Sequence, residues 1–266
     1  MSERGDATSL ISVTMLGSGT SAGVPMIGCH CAVCESGDSR DKRTRPSIAV
    51  HYEGRSILVD TTPELRLQAV ANRLDRIDAV VYTHAHADHI FGLDDVRRYN
   101  TLMKAPLPMY AAAETLATLK AAFAYAFKPQ ERTTDALYRP ELSPVVIEGP
   151  FDLFGRVWTP IPLVHGKFRV LGFRVGDFAY CTDCNEIPEE SRAMLRGLDV
   201  LIIDALRPKP HPTHLSFEQA LRMVEELKPR RAFFTHLSHE MKHADIEAML
   251  PAHVRVGYDT LRIEVG

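Results

Sequence analysis

Apolar positions along the chain fall mostly into short runs with period two, and only a few stretches repeat at helical spacing. ISVTML (11–16) reads as a strand entering a glycine-rich loop, GSGTSAGVP. SIAVHY (47–52) and SILVD (56–60) read as a hairpin across EGR. PELRLQAVANRL (63–74) has helical spacing and starts at Pro63. DAVVYTH (78–84) is an apolar strand that runs straight into histidine, and 114–127 is an alanine-rich helical stretch. PVVIEG, RVWTPIPLVH, RVLGFRVG and DFAYC supply strands between 143 and 181, followed by a helix over 188–196 and a buried strand, DVLIID (199–204). SFEQALRMVEELKP (216–229) places Phe217, Ala220, Leu221, Val224 and Leu227 on one helical face. RRAFFTH (230–236) again ends at a histidine, and TLRIEV closes the pattern. No linker, repeat or low-complexity tract breaks it, so 1–266 reads as a single domain. Four strands (VVYTH, IPLVH, FAYCTD and AFFTH) end in a candidate ligand, and convergent strand ends are how sheet-based enzymes hold polar groups on a rigid scaffold.

Composition narrows the class. The 266 residues are 45% hydrophobic and 24% charged, an ordinary balance for a packed core. Net charge is −3, so no strong field draws the chain to nucleic acid or membrane. MSERGDATSL carries no basic segment followed by an apolar run, and no run is long enough to cross a bilayer, so a cytoplasmic location is expected. Thiols stay reduced there. Five cysteines, an odd number with three of them in GCHCAVC (28–34), point to metal ligands rather than to a disulfide framework. The basic run DSRDKRTRPS (38–47), with Arg40, Lys42, Arg43 and Arg45, could meet phosphate but reads first as a solvated loop, too short and too poor in aromatics for long nucleic acid. His51 and His253 show no partner pattern and read as surface or packing residues.

The twelve histidines cluster, and THAHADH is the strongest chemical signal. His84 and His86 can turn two imidazoles toward one point, and Asp88 and His89 can serve a second metal beside it. Two cations roughly 3.5–4 Å apart can stabilise both the attacking and the leaving oxygen of a displacement. HxHxDH after an apolar strand resembles the signature of the metallo-β-lactamase fold superfamily. The supporting residues occur in the expected order: Asp60 in SILVD, His165 in PLVHG, Asp183 in CTDCNE and His236 in FFTHLSHE. The resemblance implies a four-layer αββα sandwich with two mixed β-sheets. It implies one metal on His84, His86 and His165, a second on Asp88, His89 and His236, and Asp183 bridging, with Asp60 supporting through hydrogen bonds. On the residues alone Asp183 could be a turn residue between two knuckle ligands, Cys181 and Cys184; the resemblance favours Asp183 and leaves both cysteines as reduced bystanders.

Cys29, Cys31 and Cys34, after GSGTSAGVP, resemble the PhnP branch of cyclic phosphodiesterases. That resemblance implies a structural zinc on these three thiols and His239, three residues beyond His236. A closed four-ligand zinc has no position open to substrate. His214 in HPTHLSFEQA resembles the His-Ser-Thr motif of tRNase Z and the catalytic histidine of PhnP-type enzymes; His211 is its local competitor. An imidazole can protonate a leaving alkoxide. The catalytic candidates are therefore His214 and Asp88.

These resemblances imply a metal-dependent hydrolase with two divalent ions, zinc or manganese, in its active site and one structural zinc. Its expected substrates are small phosphodiesters, above all cyclic ribosyl or nucleoside phosphates. Neither long nucleic acid nor a membrane is expected as partner, and a homodimer is compatible with the chain. The chain shows no glycine- and proline-rich arm of the tRNase Z kind, which weighs against the first alternative, a tRNase Z-like endoribonuclease. A lactonase or thioesterase of the same fold would need no leaving-group histidine, and a binding module would need no dinuclear site.

Overall fold

The computed structural model of the protein describes residues 10–128 and 139–266. The amino-terminal segment 1–9, on which the absence of a leader was read, lies outside the described residues, as does 129–138. The first sheet holds β1 (Ile11–Gly17), β2 (Ser47–Tyr52), β3 (Arg55–Val59), β4 (Ala79–Val81), β5 (Leu107–Ala111), β6 (Leu142–Val146) and, returning from the far end, β14 (Arg262–Val265). The second runs in chain order through β7 (Phe151–Leu153), β8 (Arg156–His165), β9 (Phe168–Val175), β10 (Phe178–Cys181), β11 (Val200–Asp204), β12 (Arg231–Thr235) and β13 (Val254–Val256). Each sheet is antiparallel in one half and parallel in the other, so both are mixed.

Period two explains the layers. In β11, Val200 and Ile202 face the first sheet while Leu201 and Ile203 face the helices, so both faces are buried and the run reads as unbroken apolar. Between the sheets Val13, Met15, Val50 and Val59 meet Trp158, Phe173, Phe178 and Tyr180. Trp158 is fully buried, and its indole N–H donates to the Tyr52 hydroxyl at 3.0 Å, so its polar atom is not stranded. Burying a side chain of this class contributes about 1.5–3 kcal/mol. Helices α1 (Leu65–Asn72), α3 (Arg97–Met103) and α4 (Ala113–Ala122) cover the outside of the first sheet. Helices α5 (Glu189–Met194), α6 (Phe217–Leu227) and α7 (His243–Met249) cover the second. This is the αββα sandwich. A four-residue helix, α2 (Ala87–Ile90), carries part of THAHADH. Among the described residues no helix is long and apolar enough to cross a membrane.

The differences from expectation are local. The strand read over 78–84 is paired only over Ala79–Val81, because the chain must leave the sheet to present His84. The helix read over 63–74 starts at Leu65, after a turn that packs Thr62 against Gly92; a Cβ on Gly92 would fall 1.9 Å from the Thr62 carbonyl oxygen. The helical stretch 114–127 is α4 followed by a 3-10 turn over Ala124–Phe127. The basic run 38–47 is not a solvated loop. Arg43 is buried, donating to the Gly257 carbonyl at 2.6 Å and to Ser18 Oγ at 3.2 Å. Arg40 pairs with Asp38, Lys42 reaches the Cys34 carbonyl, and Arg45 pairs with Glu64.

Candidate metal centre

The carboxyl ends of β3, β4, β10, β11 and β12 deliver Asp60, His84, Asp183, Asp204 and His236 to one edge of the sandwich. Three of them, Asp60, Asp183 and His236, sit in the left-handed region at φ 64°, 54° and 61°. Each marks a sharp turn straight off a strand, of the kind that persists only where surrounding contacts hold it. The contacts are present. Asp60 accepts from the Thr83 amide and the Thr83 hydroxyl at 2.8 Å each, and from His89 Nδ1 at 2.7 Å. That last bond fixes the His89 tautomer and leaves Nε2 for the site. His165 is turned in the same way, donating Nδ1–H to the Thr213 carbonyl at 2.7 Å.

The sequence-derived residues come together in two adjoining sets. Donor atoms of His84, His86 and His165 lie within 4.8 Å of one another, as do those of Asp88, His89, Asp183 and His236. Asp183 stands between its neighbours, with Oδ2 3.2 Å from His89 Nε2 and Oδ1 3.1 Å from His236 Nε2. It also groups with His165 and His214, which is where a bridging carboxylate would stand.

Electrostatics fit the same picture. Burial would push Asp183 up, but His236 and His89 outweigh it and hold the carboxyl well below its usual range. Asp88 is lowered likewise, against burial, by His89 and His236. Burial alone would neutralise His236, yet Asp183 raises it to about 10; His89 is raised well above its ordinary value against the same cost, by Asp183, Asp60 and Asp88. Ionised carboxylates therefore demand positive charge at this spot. A divalent cation supplies that charge and takes neutral imidazoles as ligands. The Nε2 atoms of His84, His89 and His236 are buried without a hydrogen-bond partner, as metal ligands would be.

The second cluster sits at the base of the glycine-rich loop. Cys29, Cys31 and Cys34 place Sγ 3.3, 3.4 and 3.6 Å from His239 Nδ1. A tetrahedral zinc with Zn–S near 2.3 Å and Zn–N near 2.1 Å sets ligand separations of about 3.6 Å. The Cys34 amide faces Cys31 Sγ, and with His239 it lowers that thiol to about 6, which favours the thiolate a metal needs. Ser18 and Thr20 hydrogen-bond to both sides of Leu237, so the knuckle and a backbone bridge tie the amino-terminal loop to the segment that carries His236.

His214 lies at this edge and His211 does not share its anchoring. The capping box of Ser216 and Gln219 starts α6, and Leu215 is pinned by amide contacts to Cys184 and Leu206. Between these anchors His214 Nδ1 meets Asp204 Oδ2 at 2.7 Å, and its ring stacks on His236 with centroids 4.4 Å apart. Asp204 was not among the residues picked from the sequence. Its signal was there: DVLIID is another apolar strand that ends in a ligand-type residue. Cys181 and Cys184 are buried and free, away from the knuckle set. His51 bonds Thr14 and Ser56 and takes no part, and His253 is exposed.

The profile of the β-lactamase superfamily domain matches residues 55–237. The chain belongs to the β-lactamase superfamily. A crystal structure of a diphosphatase from the PhnP family superposes with a TM-score of 0.89 at 43% identity, over 96% of this chain and 97% of that one, and places this superfamily member in the PhnP-type branch. A Porphyromonas gingivalis protein named octanoyltransferase is 36% identical over 250 residues, 93% of this chain. The chain spans 50% of that relative's length, so the name describes the longer protein. Coenzyme PQQ synthesis protein B of Methylorubrum extorquens is 30% identical over 221 residues, 72% of either chain. The protein is thus a member of the metallo-β-lactamase fold superfamily with a His/Asp cluster that could hold metal.

Proposed function

We propose that the protein hydrolyses a phosphorus–oxygen bond in small phosphodiesters, with cyclic ribosyl or nucleoside phosphates as its substrate class. The observation that carries this reading is the Asp204–His214 pair beside the His165 and Asp183 donors. A ribose alkoxide is a poor leaving group and needs a proton; a carboxylic ester or lactone has less need of one. Asp204 accepts Nδ1–H of His214 and so leaves Nε2 as the nitrogen that exchanges a proton with the leaving oxygen. Asp88 stays ionised at the rim of the second ligand set.

His84, His86 and His165 would hold one divalent ion and Asp88, His89 and His236 a second, with Asp183 shared; a histidine–aspartate donor set suits zinc or manganese. Bound there, the two ions supply positive charge that polarises a phosphoryl group and acidifies water. Cys29, Cys31, Cys34 and His239 would hold a structural zinc. Arg43 is buried, Arg40 and Arg45 are paired with carboxylates and Lys42 is bonded to a carbonyl, which leaves less free basic surface for long RNA and supports a small substrate.

A second reading, cleavage of a phosphoanhydride, is favoured by the 43%-identical diphosphatase. Turnover by zinc- or manganese-reconstituted protein should be compared on a 2′,3′-cyclic nucleotide, a nucleoside diphosphate sugar and a lactone. The proposal expects the cyclic diester to be hydrolysed and a chelator to stop it. Preference for the diphosphate would support the second reading, and turnover of the lactone alone would sink both.

A further inference from the structure

Three aromatic side chains among the described residues are strongly exposed: Phe91, Tyr125 and Phe168. Phe91 packs on Phe123, and the Tyr125 hydroxyl is bonded to Asp94. Phe168 alone of the three touches the candidate metal centre. Its ring meets that of His86 at 5.6 Å between centroids and 86° between planes, yet remains 61% exposed.

Its backbone is paired within the sheet. Phe168 pairs directly with His165 across the β8–β9 hairpin, so one rung carries both a ligand candidate and the aromatic ring. The two-residue turn between them, Gly166-Lys167, needs the positive φ of 63° that glycine adopts freely. The Gly166 amide donates to Asn185 Oδ1 at 2.6 Å, and a Cβ on Gly166 would fall 2.8 Å from Thr213 Cγ2. The hairpin tip is therefore seated against the loop that carries His214. An exposed apolar ring costs solubility, and among the described residues it stays largely uncovered, but a π-face beside the candidate metal centre can stack a planar base.

We propose that Phe168 determines specificity by stacking the base of a nucleoside phosphate whose phosphoryl group lies at the metal centre. This deepens the phosphodiesterase reading and rests on it: the substrate is nucleoside-bearing rather than base-free.

The test uses metal-reconstituted protein and two substrates with the same reacting bond, 2′,3′-cyclic AMP and methyl riboside 2,3-cyclic phosphate, which has no base. Stacking removed by alanine substitution is expected to raise KM for the nucleotide roughly 5- to 150-fold with kcat retained. Phe168→Ala should leave the base-free substrate and the metal content unchanged, and Phe168→Tyr should behave as the unmodified protein on both. Equal losses on the two substrates, no loss on the nucleotide, or loss of metal would overturn the proposal. Unmodified protein that favours the base-free substrate would overturn it while the phosphodiesterase reading stands; unmodified protein that turns over neither would overturn both.

Discussion

Asp204 Oδ2 lies 2.7 Å from His214 Nδ1, joining the end of β11 to the entry of α6. The carboxylate is fully buried and also accepts the Cys184 amide at 3.0 Å, so it cannot turn away from the ring. In the proposed reaction Asp204 is a positioning residue that sets the tautomer and direction of His214.

Replacing it by asparagine keeps the volume and removes the charge. Asp204→Asn should lower kcat on a 2′,3′-cyclic nucleotide by about 10²-fold or more, within the range of general acid catalysis, with KM little changed. Metal content should not move. A loss of metal together with activity would make Asp204 a ligand instead.

Asp60 supports the centre from below through three hydrogen bonds, one of them to His89 Nδ1. Removing such a support typically costs 10- to 100-fold in metal affinity. Asp60→Ala should weaken metal binding by that order, measured by competition with a chromogenic chelator. Unchanged affinity would mean that Thr83 and packing suffice to hold His89.

Much of this was legible in the chain. Period-two runs identified most strands, and THAHADH, PLVHG, CTDCNE and FFTHLSHE picked out the residues that the fold brings together, because they are short-range patterns with a fixed chemistry. What escaped was long-range or weakly patterned. LPMYA (β5) is apolar or proline at nearly every position and so shows no polar alternation, and β7 and β13 are each three residues long. Asp204 ends an apolar strand as the other candidates do, but its partner His214 lies ten residues on, and no local pattern joined the two. Arg43 was misread because local composition resembles a surface loop, whereas its partners, Ser18, Gly257 and His243, come from both ends of the chain.

The two clusters should separate stability from turnover. Fully loaded protein is expected to bind about three metals per chain, two in the open site and one in the knuckle. Cys31→Ser should remove one metal and lower the melting temperature, because structural zinc contributes to folding directly. Asp183→Ala should abolish turnover with a smaller loss of stability. A Cys31→Ser protein with unchanged melting and metal content would remove the knuckle from the account.

Acid should probe the Arg43 network. Burial first, then Arg43 and Arg40, push His243 down to about 4, while Glu247 and Asp38 act the other way. Its ring faces Arg43 Nη2 at 3.3 Å, and Tyr258 packs on it. The unfolded chain takes up this proton near pH 6.5 and the folded chain only near 4, so the contribution is complete above 6.5 and is lost as pH falls toward 4. Melting temperatures from pH 4 to 8 should fall less steeply on the acid side for His243→Gln than for the unmodified protein; parallel curves would refute the assignment.

The central claim is that His214 delivers a proton to a poor leaving group at a metal centre. Its most direct test is the ratio of two activities in His214→Ala: a 2′,3′-cyclic nucleotide, whose alkoxide needs the proton, against bis(p-nitrophenyl) phosphate, whose phenolate leaves almost unaided. With metal content unchanged, the account predicts a loss of roughly 10²–10⁴-fold on the nucleotide and a far smaller loss on the aryl ester. Equal losses on both would contradict it and make His214 a substrate-positioning group, and full activity on both would leave it no role in the reaction.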